Sequence, residues 1–148
     1  GTLTILQGGE SELYSTDDSS AHVNNASLCT MFEAGSFRYL STGDAEAQAE
    51  QRLVDRYGKA LHATLFKAGH HGSSTSSTDA LLQVVQPQAA AISCGLNNDY
   101  GHPHARALQR LTAAGADIYR TDTMGTITFT YQNDTLTAAA TDTLDAAA

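Results

Sequence analysis

Between residues 61 and 120 short apolar runs alternate with polar loops and helix-forming stretches, and this alternation restricts the chain to one class of architecture. Residues 61–67, 89–94 and 117–120 read as strands. Two helix signals lie between them: 78–85, stopped by Pro87, and a run that Pro103 opens at its first position, carrying Leu108 and Leu111 and ending at Gly115. Upstream, Leu3 to Gln7 alternate as a strand would, and the runs 27–33 and 37–41 flank Ala34-Gly35-Ser36, which has the length and the glycine of a hairpin turn. Residues 45–57 read as a helix that closes at Gly58 and has Asp44 at its N-terminus. Downstream, 126–131 reads as a strand and 136–141 as a last edge strand. The order predicts one α/β domain over residues 1–148, a mixed sheet with flanking helices. The polar stretch 8–20 is expected to be a long loop and 141–148 a frayed tail.

Composition narrows the functions such a domain can serve. The chain has 16 acidic against 8 basic side chains, a formal charge of -8, which argues against a broad basic footprint for nucleic acid. An anionic substrate must then be held locally, and a bound divalent cation is one source of local positive charge. No apolar run reaches the roughly 18 residues of a membrane span, and the first residues have neither the basic flank nor the apolar stretch of a signal peptide. A start at Gly1 rather than Met is expected of a fragment. Cys29 and Cys94 both sit in apolar runs and are expected to be unpaired core residues.

Three polar blocks follow strands, where ligands gather in α/β sheets. In Ser41-Thr42-Gly43-Asp44 the carboxylate could cap the next helix or serve a site. His70-His71-Gly72-Ser73 and its run of hydroxyls to Ser77 put two adjacent imidazoles in a polar loop where neither has a packing task. Imidazole is both a common metal ligand and a proton carrier near neutral pH, so the pair could take either role or divide them. In Asn97-Asn98-Asp99-Tyr100-Gly101-His102-Pro103-His104, the Pro103 position is expected to set His102 near a helix N-terminus, which favours an anion. The bland alternative is that His102 caps the helix and the asparagines make a turn.

Taken in order with Asn24-Asn25-Ala26-Ser27-Leu28 and Tyr119-Arg120-Thr121-Asp122, these blocks resemble the C-terminal half of the metallo-β-lactamase-like domain of ComEC DNA-uptake proteins, over residues 24–129. The resemblance implies half of an αββα sandwich. It implies Asp44 and His70 as metal ligands, with His71 as the alternative ligand or its neighbour. His102 and His71 are the expected catalytic groups, and Ser73, Asn25 and His104 the expected substrate-binding groups. The cofactor implied is a pair of divalent ions, Zn or Mn, which lower the pKa of a bound water and clamp a phosphodiester. The role implied is hydrolysis of the DNA strand that is not imported, by a domain on the periplasmic side of a bacterial inner membrane, with the channel segment in cis.

One departure sets a limit. The His-x-His-x-Asp-His or His-x-Asp-x-Asp-His cluster of the fold's N-terminal half does not occur in this chain. A zinc ion takes three or four protein ligands, so metal binding by this chain alone is expected to be weak or absent, and the chain inactive alone. The sheet surface that would meet the missing half is expected to favour a homodimer. Two further readings remain: a stand-alone hydrolase of the same fold acting on another phosphoester or a lactone, and a non-catalytic binding module.

Overall fold

The structure, a computed structural model, describes residues 1–8 and 20–141. Six strands form one sheet, β1 (Thr2–Gln7), β2 (Cys29–Ala34), β3 (Phe37–Ser41), β4 (Leu65–Lys67), β5 (Ala89–Ile92) and β6 (Asp117–Arg120), and their spatial order is their chain order. The first three are antiparallel, and β3 to β6 run parallel. Parallel neighbours need a crossover. These are α2 (Ala47–Tyr57), α3 (Asp79–Val85) and α4 (Ala105–Ala113), and α1 (Ser20–Asn25) precedes β2. The mixed α/β expectation holds.

The apolar periodicity explains the packing. Alternate strand residues Cys29, Met31, Leu40, Phe66, Ala90 and Ile92 meet Leu53, Leu81, Leu82, Val85 and Leu111 from the helices in one buried cluster. The opposite face is partly covered by a ribbon of β7 (Thr126–Gln132) and β8 (Thr135–Thr141). Phe129 lies edge-on to Tyr119 at 5.2 Å, and Tyr131 contacts Phe37 at 5.1 Å.

Several boundaries differ from the sequence expectation. The segment 136–141 is not an edge of the main sheet, because β8 pairs with β7 alone. The turn between them, Asn133-Asp134, has positive φ at both residues, which suits a tight two-residue hairpin. The strand expected at 61–67 is halved, since residues Gly58–Leu61 form a 3-10 turn before β4. Pro103 is not the first residue of a helix. It packs on Gly72, where an added Cβ would come within 2.6 Å of the Pro103 Cβ, and α4 starts only after His104 as N-cap. His102 is thus not at a helix terminus. Residues 9–19 and 142–148, where the loop and tail expectations mostly fall, lie outside the described residues. Among the described residues no helix is long and apolar enough to cross a membrane.

The parallel strands matter most for the site. Register pairs Ser41 with Lys67 and Lys67 with Ala91, so β3, β4 and β5 end nearly flush. All three polar blocks therefore leave the same end of the sheet.

Both cysteines are free, but only Cys29 is core; burial pushes its thiol up to about 12. Burial and then Asp122 push the half-buried Cys94 thiol up as well, so in the folded chain at pH 8 a thiol reagent should modify Cys94 slowly and Cys29 only after unfolding. Equal rates at the two cysteines would contradict this packing.

Candidate functional site

Two consecutive left-handed residues build the centre of the site. His70 (φ 48, ψ 47) and His71 (φ 55, ψ 26) follow β4 after Ala68 and Gly69. In extended backbone adjacent side chains point to opposite faces, whereas here both imidazoles line one cleft. Left-handed backbone is uncommon for residues with a Cβ, so the surrounding structure must hold it.

It is held by stitches from three sides. The buried Glu50 of α2 accepts the backbone N–H groups of Ser77 (2.6 Å) and Thr78 (2.8 Å). Arg110 of α4 donates to the carbonyls of Ser74 (3.0 Å) and Ser76 (3.1 Å). The Ser76 hydroxyl donates to the Ala45 carbonyl, and the His70 N–H donates to the Gly43 carbonyl. Burial pushes the Glu50 carboxyl up, and its bonds from Thr78 and Ser77, with Arg110 nearby, pull it back in part. The hydroxyl run is therefore a scaffold.

The Asp44 loop is held in the same manner. Asn25 Oδ1 accepts from the N–H groups of Glu46 (3.0 Å) and Ala49 (3.3 Å), so a side chain from α1 caps α2 from outside the helix. Ser27 Oγ accepts the Asp44 N–H at 3.0 Å. The helix begins at Ala47 with Glu46 as N-cap, which leaves the Asp44 carboxylate out of the capping role. Its side chain is 42% exposed and lies 3.6 Å from His71 Nε2.

His71 is oriented as well as placed. Its Nδ1 lies 2.6 Å from the Ser93 carbonyl, which can only accept, so Nδ1 carries the proton. In the neutral ring the Nε2 lone pair then faces Asp44. A backbone carbonyl that fixes the tautomer is the usual support behind a metal-ligating histidine. His70 has a different acidic neighbour, Glu46 Oε1, 3.7 Å from its Nδ1.

The third block closes the cleft. Asn98 Nδ2 donates to the carbonyls of Gly95 (2.9 Å) and His102 (2.6 Å), and its Oδ1 accepts the His102 N–H. His104 joins this loop to the double-histidine loop, since its Nδ1 accepts the Ser74 N–H and its Nε2–H donates to the Tyr100 carbonyl. The His102 ring stands 5.6 Å from His70 and 4.8 Å from His104. Desolvation and then the imidazoles of His104, His70 and His71 push its pKa below the ordinary 6.5, against a smaller opposing pull from Asp44.

The resulting cleft has a volume of about 400 Å³ and is lined by Asp44, His70, His71, Cys94, Gly95, Asn98, Tyr100 and His102. Of the residues expected at the site, Asp44, His70, His71 and His102 come together. Asn25, Ser73 and His104 do not line the cleft: Asn25 and Ser73 are buried, and both His104 nitrogens are engaged with backbone. Cys94 and Tyr100 line it without having been singled out as functional. A donor set for a cation is partly present, in that Asp44 and His71 face each other as ligand types, but among the described residues no three or more His, Cys, Asp or Glu side chains converge as an ion requires.

Removing the external cap should be felt as a loss of stability. Asn25→Ala is expected to cost about 1 kcal/mol in urea unfolding, as a lost N-cap does. Glu50→Ala, which orphans the buried Ser77 N–H and the half-buried Thr78 N–H, should cost about 2 kcal/mol. Unchanged midpoints would mean that neither side chain holds its loop.

Comparison with known proteins gives a consistent assignment. No family model matches the chain. It is 40% identical over 113 residues to ComE operon protein 3 of Bacillus subtilis, a match covering 76% of this chain and 14% of that protein. It is 38% identical over 106 residues to Competence protein ComA of Neisseria gonorrhoeae, covering 72% of the chain and 15% of that protein. Recombination protein 2 of Haemophilus influenzae is 34% identical over 113 residues, 76% of the chain and 14% of that protein. The matches thus span a small part of much longer proteins.

Proposed function

The chain belongs to the family of ComEC/ComA-type competence proteins, and from that premise we propose that it carries one side of the active-site cleft of a metal-dependent hydrolase acting on DNA. The observation that carries this reading is the facing pair of Asp44 and His71, with the His71 tautomer fixed by the Ser93 carbonyl. Such an orientation has no packing purpose on a side chain that is 47% exposed.

In this reading Asp44 and His71 hold a divalent ion, Zn or Mn, and further ligands come from the other half of the same domain. When bound, the ion lowers the pKa of a water and polarises a phosphodiester oxygen. His71 is favoured over His70 because its free nitrogen faces Asp44, while His70 Nδ1 sits beside Glu46 and Thr75. His102, which lines the cleft beside His70, is the group available to exchange a proton there. The substrate proposed is the DNA strand that is not imported, and the location the periplasmic side of the inner membrane, beside a channel segment of the same protein.

The test is metal affinity. The chain alone should bind Zn or Mn weakly, and a chain extended upstream by about 100 residues, an ordinary domain's length, should bind tightly. In the extended chain, Asp44→Ala and His71→Ala should each lower affinity by at least about tenfold, with His70→Ala milder. If the extended chain binds no metal, the domain is a binding module and the hydrolase proposal fails.

A further inference from the structure

Among the described residues no lysine or arginine lines the cleft, and the chain as a whole carries a charge of -8. Phosphate contacts, which dominate most nucleic-acid binding, find no lysine or arginine on the cleft surface itself, the nearby Lys67 being half-buried beside Asp44. What the cleft mouth offers instead is an aromatic face. Tyr100 is 79% exposed, and its ring lies nearly parallel to the His102 imidazole, 23° between planes with centroids 5.7 Å apart. His102 in turn meets His70 edge-on at 5.6 Å, so a file of rings runs from solvent to the interior of the cleft.

A tyrosine on a mobile loop would often be exposed by accident. This one is not on such a loop, because the Tyr100 carbonyl accepts from His104 Nε2–H and the Asn98 amide ties the loop's two ends together. Its ring is presented without further ordering, which lowers the entropy cost of binding. A cleft of about 400 Å³ is within the range that takes a small ligand, about 300–1,000 Å³. A planar ring that continues the file would stack on Tyr100 and enter beside His102.

We propose that Tyr100 is a stacking platform for a nucleobase of a single DNA strand, which places the adjoining phosphodiester in the cleft between Asp44, His71 and His102. This inference rests on the DNA reading above and specifies its substrate as unpaired. Stacking on the exposed ring needs a free base face, so a closed duplex cannot use it. It also tolerates any sequence, since every base has a π-face.

The chain contains no tryptophan, so Tyr100→Trp creates a single fluorescent reporter at the cleft mouth. It should be quenched by a single-stranded oligodeoxynucleotide but not by an abasic strand of equal length. Against the base-bearing strand, Tyr100→Ala should lose about tenfold in affinity, and Tyr100→Phe, which keeps the ring, should stay within about twofold of the parent. Thermal melting of each variant separates misfolding from lost contact. Equal affinity of the parent for the two strands, an unaffected Tyr100→Ala, or no binding of either strand would each overturn the proposal. Hydrolysis of bis(p-nitrophenyl) phosphate by the metal-loaded extended chain tests the hydrolase reading separately. Hydrolysis without a base preference sinks only the stacking platform, and a base preference without hydrolysis sinks only the hydrolase.

Discussion

The constraint on which the rest depends is the need to pair backbone groups in a polar loop that runs through the interior. Gly69, Gly72, Ser73, Ser76 and Ser77 are all buried, although they lie between a three-residue strand and a short helix. Buried N–H and C=O groups must find partners, and no strand is available to supply them. The fold meets this requirement with charged side chains from two neighbouring helices, the Glu50 carboxylate accepting N–H groups and the Arg110 guanidinium donating to carbonyls. A carboxylate kept in so dry a place costs desolvation, and its upward-shifted pKa records that cost. The return is a rigid loop that can hold two successive histidines in left-handed backbone.

This arrangement divides the polar residues into two groups by a simple physical criterion, whether their hydrogen-bonding atoms are already used. Asn25, Ser27, Asn98 and His104 spend theirs on backbone groups of the three loops. Asp44, His71 and His102 retain atoms that face the cleft. Chemistry needs the second group, but its geometry is fixed by the first. His104 makes the point best, because one imidazole bonds to both the double-histidine loop and the Tyr100 loop and so sets the distance across the cleft.

The architecture was legible because it depends on periodicity. Strand and helix positions from 27 to 120 followed from apolar alternation and from Gly58, Pro87 and Gly115, which end helices for local reasons. The parts that were not legible depend on long-range partners. Capping of α2 by Asn25 spans more than 20 residues of chain, so nothing near Asp44 reveals that the helix needs no cap from it. Pro103 was misread for a similar reason: its contact is with Gly72, thirty-one positions away, and this packing, rather than the local preference for a first helical turn, fixes where α4 begins. The Asn133-Asp134 turn did carry a local signal for a hairpin, two residues that tolerate positive φ between alternating runs, although the separation of that ribbon from the main sheet is again a matter of tertiary packing. Of the candidate site, the histidine and aspartate types could be read directly, whereas which histidine faces Asp44 required the Ser93 carbonyl.

The orientation of His71 also bears on how a half-complete donor set can persist. The bond from Nδ1–H to the Ser93 carbonyl orients the His71 ring, and the Ser27 hydroxyl that accepts the Asp44 N–H holds the Asp44 loop. Both bonds are made within this chain, so its own backbone and hydroxyl groups support the facing of Asp44 and His71. In a site assembled by the ion, apo side chains would scatter and binding would have to repay their ordering. Here backbone hydrogen bonds within the chain supply the ordering, so on the proposed reading ligands from the rest of the domain would meet a fixed surface. On the proposed metal-dependent reading, a segment matched to 14% of ComE operon protein 3 supplies one prearranged face of the cleft, and the rest of the domain adds the other.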